Sequence, residues 1–332
     1  MQSGAPTKVA ITGGTGFLGS HLVARLTHLG YRVTCITRST SNTRWIDPAE
    51  TAIVPLDLLG DRDTLAQALD GQKVVFHVAG AVKALNYAAF LQTNANATEK
   101  LIEACLAAAH PPRRVVLVSS VAACGPAPKG ERINGTQTPR PITDYGRSKL
   151  EGERRALAFK NKIEIVIVRP GAIYGPRDLE LLTVFNTAKR SLFPAPKGRG
   201  QIVNMAYVTD IAEGIRLAGE AKVASGGVFT LGATREHSVA DLAAIFGALL
   251  SRRVRVLPIP HVILYLVALG SELWARLRRR PAMLNRQKVP ELRASWHLDL
   301  DAARARLGYA PHVDFPEGAR QTLAWYQHKG FM

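Results

Sequence analysis

Glycines at positions 13, 16 and 19, in Thr12-Gly13-Gly14-Thr15-Gly16-Phe17-Leu18-Gly19, follow directly on the apolar run Val9 to Thr12 and precede a helical stretch from His21 to Leu29. A chain with that spacing must turn sharply from a strand into a helix. One glycine permits the turn, one lets backbone amides approach a ligand, and one lets the helix pack closely on the strand. The helix start then presents free N–H groups and the positive end of its dipole, which suits a pyrophosphate. The segment therefore predicts a dinucleotide site built on Gly13, Thr15, Gly16, Phe17, Leu18 and Gly19.

The rest of the first half supports the same layout. Short β-branched runs at Val9 to Thr12, Arg32 to Thr37, Ala52 to Leu56, Val74 to Val78, Val115 to Ser119 and Ile163 to Val168 alternate with helical stretches at Leu18 to Leu29, Asp63 to Leu69, Ala89 to Ala109 and Ser148 to Lys160. Repeated βαβ units make a parallel sheet, and strands that are apolar throughout are those covered on both faces. The expected fold is α/β, a Rossmann-type doubly wound parallel sheet with a smaller C-terminal substrate lobe. Residues 1–170 would form the dinucleotide-binding domain, with a further strand near 226–232, and residues 171–332 mainly the substrate lobe. After Pro170 the rhythm breaks into turn-rich pieces at Gly171 to Asp178 and Pro194 to Gly200.

Composition narrows the function. A chain of 332 residues with 47% hydrophobic and 21% charged residues can bury a core, which excludes a disordered or fibrous protein. The net charge of +17 calls for an anionic partner. Ten basic residues against two acidic ones fall between Ser251 and Arg293, around the apolar run Val262 to Leu269, Trp274 and the triplet Arg278-Arg279-Arg280. That run is far short of the ~20 residues needed to span a bilayer. Three scattered cysteines, Cys35, Cys105 and Cys124, indicate neither a disulfide framework nor a metal site and read as core residues. The N-terminal residues have no secretory pattern, so a cytoplasmic location is expected.

Arg38 stands at the end of the second strand, where an NAD site usually carries an acidic residue for the ribose hydroxyls. A guanidinium can instead grip a ribose 2′-phosphate, so NADP is expected over NAD. Tyr145 and Lys149 lie four residues apart at the start of a helix and so share one face. An ammonium one turn away is expected to favour the phenolate of a group whose ordinary pKa is near 10. Tyr145 would move a hydroxyl proton during hydride transfer, and Lys149 would also hold the nicotinamide ribose. Ser119 and Ser120 end the fifth strand at the sheet edge where ligands bind, and a hydroxyl there can stabilise charge developing on a substrate oxygen.

With these motifs in place, the chain resembles the extended short-chain dehydrogenase/reductase superfamily, the NAD-dependent epimerases and dehydratases, over nearly its whole length. Thr12 to Gly19 resembles the family's TGxxGxxG loop, Tyr145 and Lys149 its YxxxK pair, and Ser120 its catalytic serine. The resemblance implies a catalytic-site role for Asn94, adenine contacts from Asp57 and Leu58, and cofactor contacts from Val78, Ala79, Gly80 and Pro170. It also implies a homodimer as a common assembly.

Within that superfamily, the small apolar turn Val121-Ala122-Ala123-Cys124-Gly125 resembles the 3β-hydroxysteroid dehydrogenase and dihydroflavonol reductase branch rather than the nucleotide-sugar epimerases and dehydratases, which remain the alternative. The expected activity is interconversion of a secondary alcohol and a ketone on an apolar, sterol- or isoprenoid-like small molecule. No recognised nucleic-acid-binding module accompanies the charge, so no nucleic-acid partner is expected. An amphiphilic helix with Leu264, Tyr265, Leu269 and Trp274, ending in arginines, suggests peripheral membrane contact through residues 259–293.

Overall fold

The computed structural model describes residues 6–128, 130–198, 201–278, 280–282 and 284–332. Gly200 and Arg279, named above, lie outside them. In chain order the first half comprises β1 (Lys8–Thr12), α1 (Phe17–His28), β2 (Arg32–Thr37), β3 (Thr51–Pro55), α2 (Arg62–Leu69), β4 (Val74–His77), α3 (Tyr87–Leu91), α4 (Ala97–Ala107), β5 (Arg114–Val118), α5 (Asp144–Ala158) and β6 (Glu164–Pro170). The second half comprises β7 (Ala172–Tyr174), α6 (Glu180–Ala188), β8 (Leu192–Pro196), β9 (Ile202–Val203), β10 (Met205–Tyr207), α7 (Val208–Glu220), β11 (Gly227–Leu231), β12 (His237–Ser238), α8 (Val239–Leu249), β13 (Arg255–Ile259), α9 (His261–Leu277), α10 (Lys288–Arg293), α11 (Asp301–Leu307) and α12 (Phe315–His328).

Seven parallel strands form one sheet in the order β3-β2-β1-β4-β5-β6-β11. The strand order reverses between β1 and β4, and the crevice at that switch point is where open α/β sheets take their ligands. Alternate residues feed the two faces. Val9 and Ile11 pack with Leu22, Leu26, Ile211 and Ile215 of α1 and α7, whereas Ala10 packs with Leu65, Leu69, Leu101 and Ile102 of α2 and α4. Both faces are therefore dry, which explains the continuous apolar strands. The three cysteines are buried within this core.

Several segments differ from expectation. Ala89 to Ala109 was expected as one helix. It begins at Tyr87 and is interrupted by a π-helical turn at Gln92–Asn96, a wider turn that re-aims side chains and is frequent at functional sites. The turn-rich piece from Gly171 contains β7, paired with β10, and the piece from Pro194 starts inside β8, paired with β13. A two-stranded ladder tolerates Pro194 and Pro196 because each strand has one unpaired side. The C-terminal elements gather round an aromatic cluster of Tyr174, Phe185, Tyr207, Phe246, Phe315 and Tyr326. Among the described residues, no helix is long and apolar enough to cross a membrane.

Candidate active site

The glycine turn is built as its spacing predicts. Gly13 has φ of +73°, in the left-handed region, and a Cβ there would sit 2.5 Å from the Ala79 nitrogen. A Cβ at Gly19 would sit 2.1 Å from the Gly13 carbonyl oxygen, so the first turn of α1 rests directly on the loop. Gly16 is the N-cap; it has no side-chain cap, and the first turn of α1 has no acidic residue. The helix start thus keeps its amides and its positive dipole end for an anion, a good fit to a dinucleotide pyrophosphate. Val78 and Ala79 close the crevice from β4, through Val78 N to Thr12 O at 3.1 Å and Ala79 N to Thr12 Oγ1 at 3.4 Å. Arg38 is exposed immediately after β2. Asp57 follows β3 and accepts the Leu59 amide on Oδ1 at 3.0 Å. Pro170 closes β6 in register with Leu231.

Ser120, Tyr145 and Lys149 come together at the carboxyl end of β5. Ser120 caps the short helical turn Val121–Ala123 by accepting the Ala122 amide at 3.1 Å. Thr143 caps α5 through the Gly146 amide at 3.1 Å, which sets Tyr145 in the first turn of that helix. Gly146 lets α5 lie against the Ser120 turn, since a Cβ there would be 2.2 Å from Ala122 O. Burial pushes the Tyr145 phenol up to about 12, while the Ser120 hydroxyl pulls it down and the Glu291 charge pushes it further up.

The Lys149 ammonium donates to the Val118 carbonyl at 2.9 Å. Burial brings Lys149 down to about 8, with Glu153 opposing. The lysine is therefore anchored at the end of β5, under Gly80, whose Cβ position lies 2.8 Å from Nζ.

Asn94, in the π-helical turn, is buried and fully engaged. It donates to Ala81 O at 3.0 Å and Ser148 Oγ at 2.9 Å, and it accepts the Ala81 amide at 2.8 Å. It ties the β4 loop to α5, so it positions the site. His77 contributes similarly. Burial first, and the Lys149 charge second, lower it to about 3, and the neutral ring bridges Thr12 Oγ1 at 2.6 Å and Thr98 Oγ1 at 3.0 Å. Arg169 forms a buried two-pronged pair with Glu153 at 2.8 and 2.6 Å and bonds Cys124 Sγ at 2.7 Å, joining β6, α5 and the Ser120 turn.

Four further residues at the site carried no sequence signal. Gln287 exchanges two hydrogen bonds with Asp144, each 2.7 Å, pinning the C-terminal part beside Tyr145. Lys288 and Glu291 line the cavity at Tyr145 with Val82, Ala84 and Phe90, and Glu291 Oε2 is buried without a hydrogen-bond partner. Arg177 lies near α1, where His21 Nε2 donates to Pro176 O at 2.8 Å, and one of its guanidinium nitrogens is buried without a partner. Their partners are distant in sequence and no periodicity links them. The Ser119 hydroxyl at the end of β5 is also buried without a hydrogen-bond partner.

This fold, glycine turn and arrangement of side chains define a dinucleotide-binding α/β enzyme of the extended short-chain dehydrogenase/reductase type. The chain belongs to the NAD dependent epimerase/dehydratase family, whose model matches residues 9–232. It is 29% identical to a ceramide reductase of Caulobacter vibrioides, covering 100% of this chain and 98% of that protein. It is 26% identical to the decarboxylating sterol-4-alpha-carboxylate 3-dehydrogenase of Mus musculus, over 97% of this chain and 91% of the relative. The crystal structure of gox2253 superposes with a TM-score of 0.80 at 27% identity, covering 99% of this chain and 100% of the other.

Proposed function

We propose that the protein is an NADP(H)-preferring oxidoreductase that interconverts a secondary alcohol and a ketone on an apolar small molecule. The observation that carries this reading is the convergence of Ser120, Tyr145 and Lys149 at the carboxyl end of β5, beside a cavity whose lining includes Val82, Ala84 and Phe90. The nicotinamide, when bound, supplies or accepts the hydride. The protein's part is proton transfer and charge stabilisation. In reduction, Tyr145 gives its hydroxyl proton to the carbonyl oxygen as negative charge gathers there, and Ser120 donates a hydrogen bond to the same oxygen. Lys149 keeps a positive charge below them, and in oxidation the proton returns to Tyr145. The small turn Val121–Ala123 and the named substrates of the ceramide and sterol relatives favour an apolar substrate, and the cavity offers Val82, Ala84 and Phe90 to it with Asn285, Gln287, Lys288 and Glu291 as a polar side.

The test is turnover by purified protein with NADPH and NADH across panels of long-chain and ring ketones. Tyr145→Phe should lower kcat by about 10²–10⁴-fold while cofactor binding persists. An active Tyr145→Phe protein would remove Tyr145 from the mechanism. Retention of tightly held NAD, with conversion of a nucleotide sugar and no net change in nicotinamide absorbance, would replace the reading by an epimerase or dehydratase.

A further inference from the structure

We propose that the outer face of α9 is a docking surface for an anionic phospholipid membrane, on the helix that leads into the segment lining the Tyr145 cavity. The helix is attached to the body by a small contact. Leu264 and Ala268 pack on Val289, supported by Ile259 and Leu284. On the opposite side, Val262, Ile263, Leu266, Val267, Leu273 and Trp274 are exposed, as are Tyr265 and Leu277, and Leu277 reaches 78% exposure. Eight large apolar side chains on one helix of about 25 Å are not the scattered exposure of an ordinary surface.

Charge selects the occupant. Arg276, Arg278 and Arg280 are exposed at the carboxyl end of the helix, and Arg252, Arg253 and Arg255 are exposed just before it, on the approach to and start of β13. Arg278 lies over the Trp274 ring at 4.2 Å, an aromatic and cationic pair suited to the headgroup level. The two acidic residues of the region are already held, Glu272 by Arg286 at 2.9 Å and Glu291 by Lys288 at 3.3 Å. A second copy of this chain would bring the same positive charge and no free carboxylate from this region. A bilayer supplies both an acyl layer for the apolar stripe and phosphates for the arginines.

Position gives the surface its use. Arg286 ties the segment after α9 back to Glu272, and that segment supplies Ala282, Asn285, Gln287, Lys288 and Glu291 to the cavity wall at Tyr145. A docked α9 therefore holds that wall at the membrane, where an apolar substrate enters without crossing water. This last step rests on the proposed apolar substrate; docking itself does not.

The experiment is cosedimentation of the full chain with phosphatidylcholine vesicles and with vesicles containing phosphatidylglycerol, so that docking is read without turnover. Binding should be at least about tenfold stronger to the anionic vesicles and should weaken as salt screens the arginines. The double variant Leu266→Glu/Trp274→Glu alters only exposed side chains, so it should keep its thermal midpoint and cofactor binding yet lose at least about tenfold in vesicle affinity. Absence of sedimentation at low salt would overturn the proposal. So would vesicle binding that the double variant leaves unchanged, since that is adsorption of a basic protein. A wild-type dimer that the variant converts to monomer would assign the face to a second copy instead.

Discussion

A Cβ placed on Gly146 would lie 2.2 Å from the carbonyl oxygen of Ala122, so α5 and the turn that carries Ser120 are in backbone contact between Tyr145 and Lys149. The missing side chain fixes how near the two hydroxyls can come. Gly146→Ala should push the helix off the turn, lower kcat/KM by more than about tenfold, and destabilise the fold by about 1–3 kcal/mol. Gly270, in the exposed middle of α9, has no heavy atom within 4 Å of its Cβ position. Gly270→Ala should therefore raise stability by up to about 1 kcal/mol through helix propensity, with turnover unchanged. Urea unfolding and steady-state rates on the two variants separate contact from propensity; equal behaviour of the pair would refute the contact argument.

Burial holds the Lys149 ammonium at a pKa of about 8, below its ordinary 10.5. The sign of the linkage follows. Below pH 8 the lysine is charged in both folded and unfolded chains, and folding bears the full desolvation penalty. Between about pH 8 and 10.5 the folded protein releases the proton first and the penalty fades. Lys149→Met should thus be more stable than the parent near pH 7, by about 1–3 kcal/mol, with the advantage shrinking as pH rises through that window. The same variant should lose nearly all turnover. Denaturant midpoints at pH 7, 8.5 and 10 check the trend, and a constant difference would place the cause elsewhere.

Sequence pattern exposes what is periodic or local, and this chain divides on that line. Strands buried on both faces, glycines 13, 16 and 19, and the Tyr145–Lys149 spacing each state their geometry within a few residues, and the sheet and glycine turn form as expected. The π-helical turn at Asn94 inserts into an otherwise regular helix, and only the inward demand of Ala81 and Ser148 reveals it. Gln287 reaches Asp144 across more than a hundred residues, so no local spacing records the pair. Helical spacing puts Lys149 on the face of Tyr145, but the Val118 carbonyl that its ammonium meets comes from a different element and leaves no local mark.

Arg38 is exposed directly after β2, at the edge next to β3 where Asp57 also emerges. With the proposed NADP, a guanidinium there would meet the ribose 2′-phosphate through charge-assisted hydrogen bonds, each contributing about 1.5–3 kcal/mol. Arg38→Ala should raise the KM for NADPH by about tenfold to a hundredfold and leave that for NADH within about twofold. Parallel titrations with both cofactors decide it. Equal loss with NADH would mean that Arg38 supports the loop rather than the phosphate.

Glu291 lines the Tyr145 cavity with one carboxylate oxygen buried and without a hydrogen-bond partner, and its charge pushes the phenol up. In the proposed mechanism oxidation needs Tyr145 to take a proton, and a raised pKa keeps the phenolate scarce at neutral pH. Glu291→Gln removes the charge and keeps the shape. The rise of the oxidation rate with pH should then move to lower pH, while reduction at pH 7 changes little, because the phenol stays protonated there. Recording kcat in both directions from pH 6 to 10 tests the sign. A shift to higher pH, or none, would show that the carboxylate does not reach the phenol; Glu291→Asp, which keeps the charge, should retain most of the parent profile.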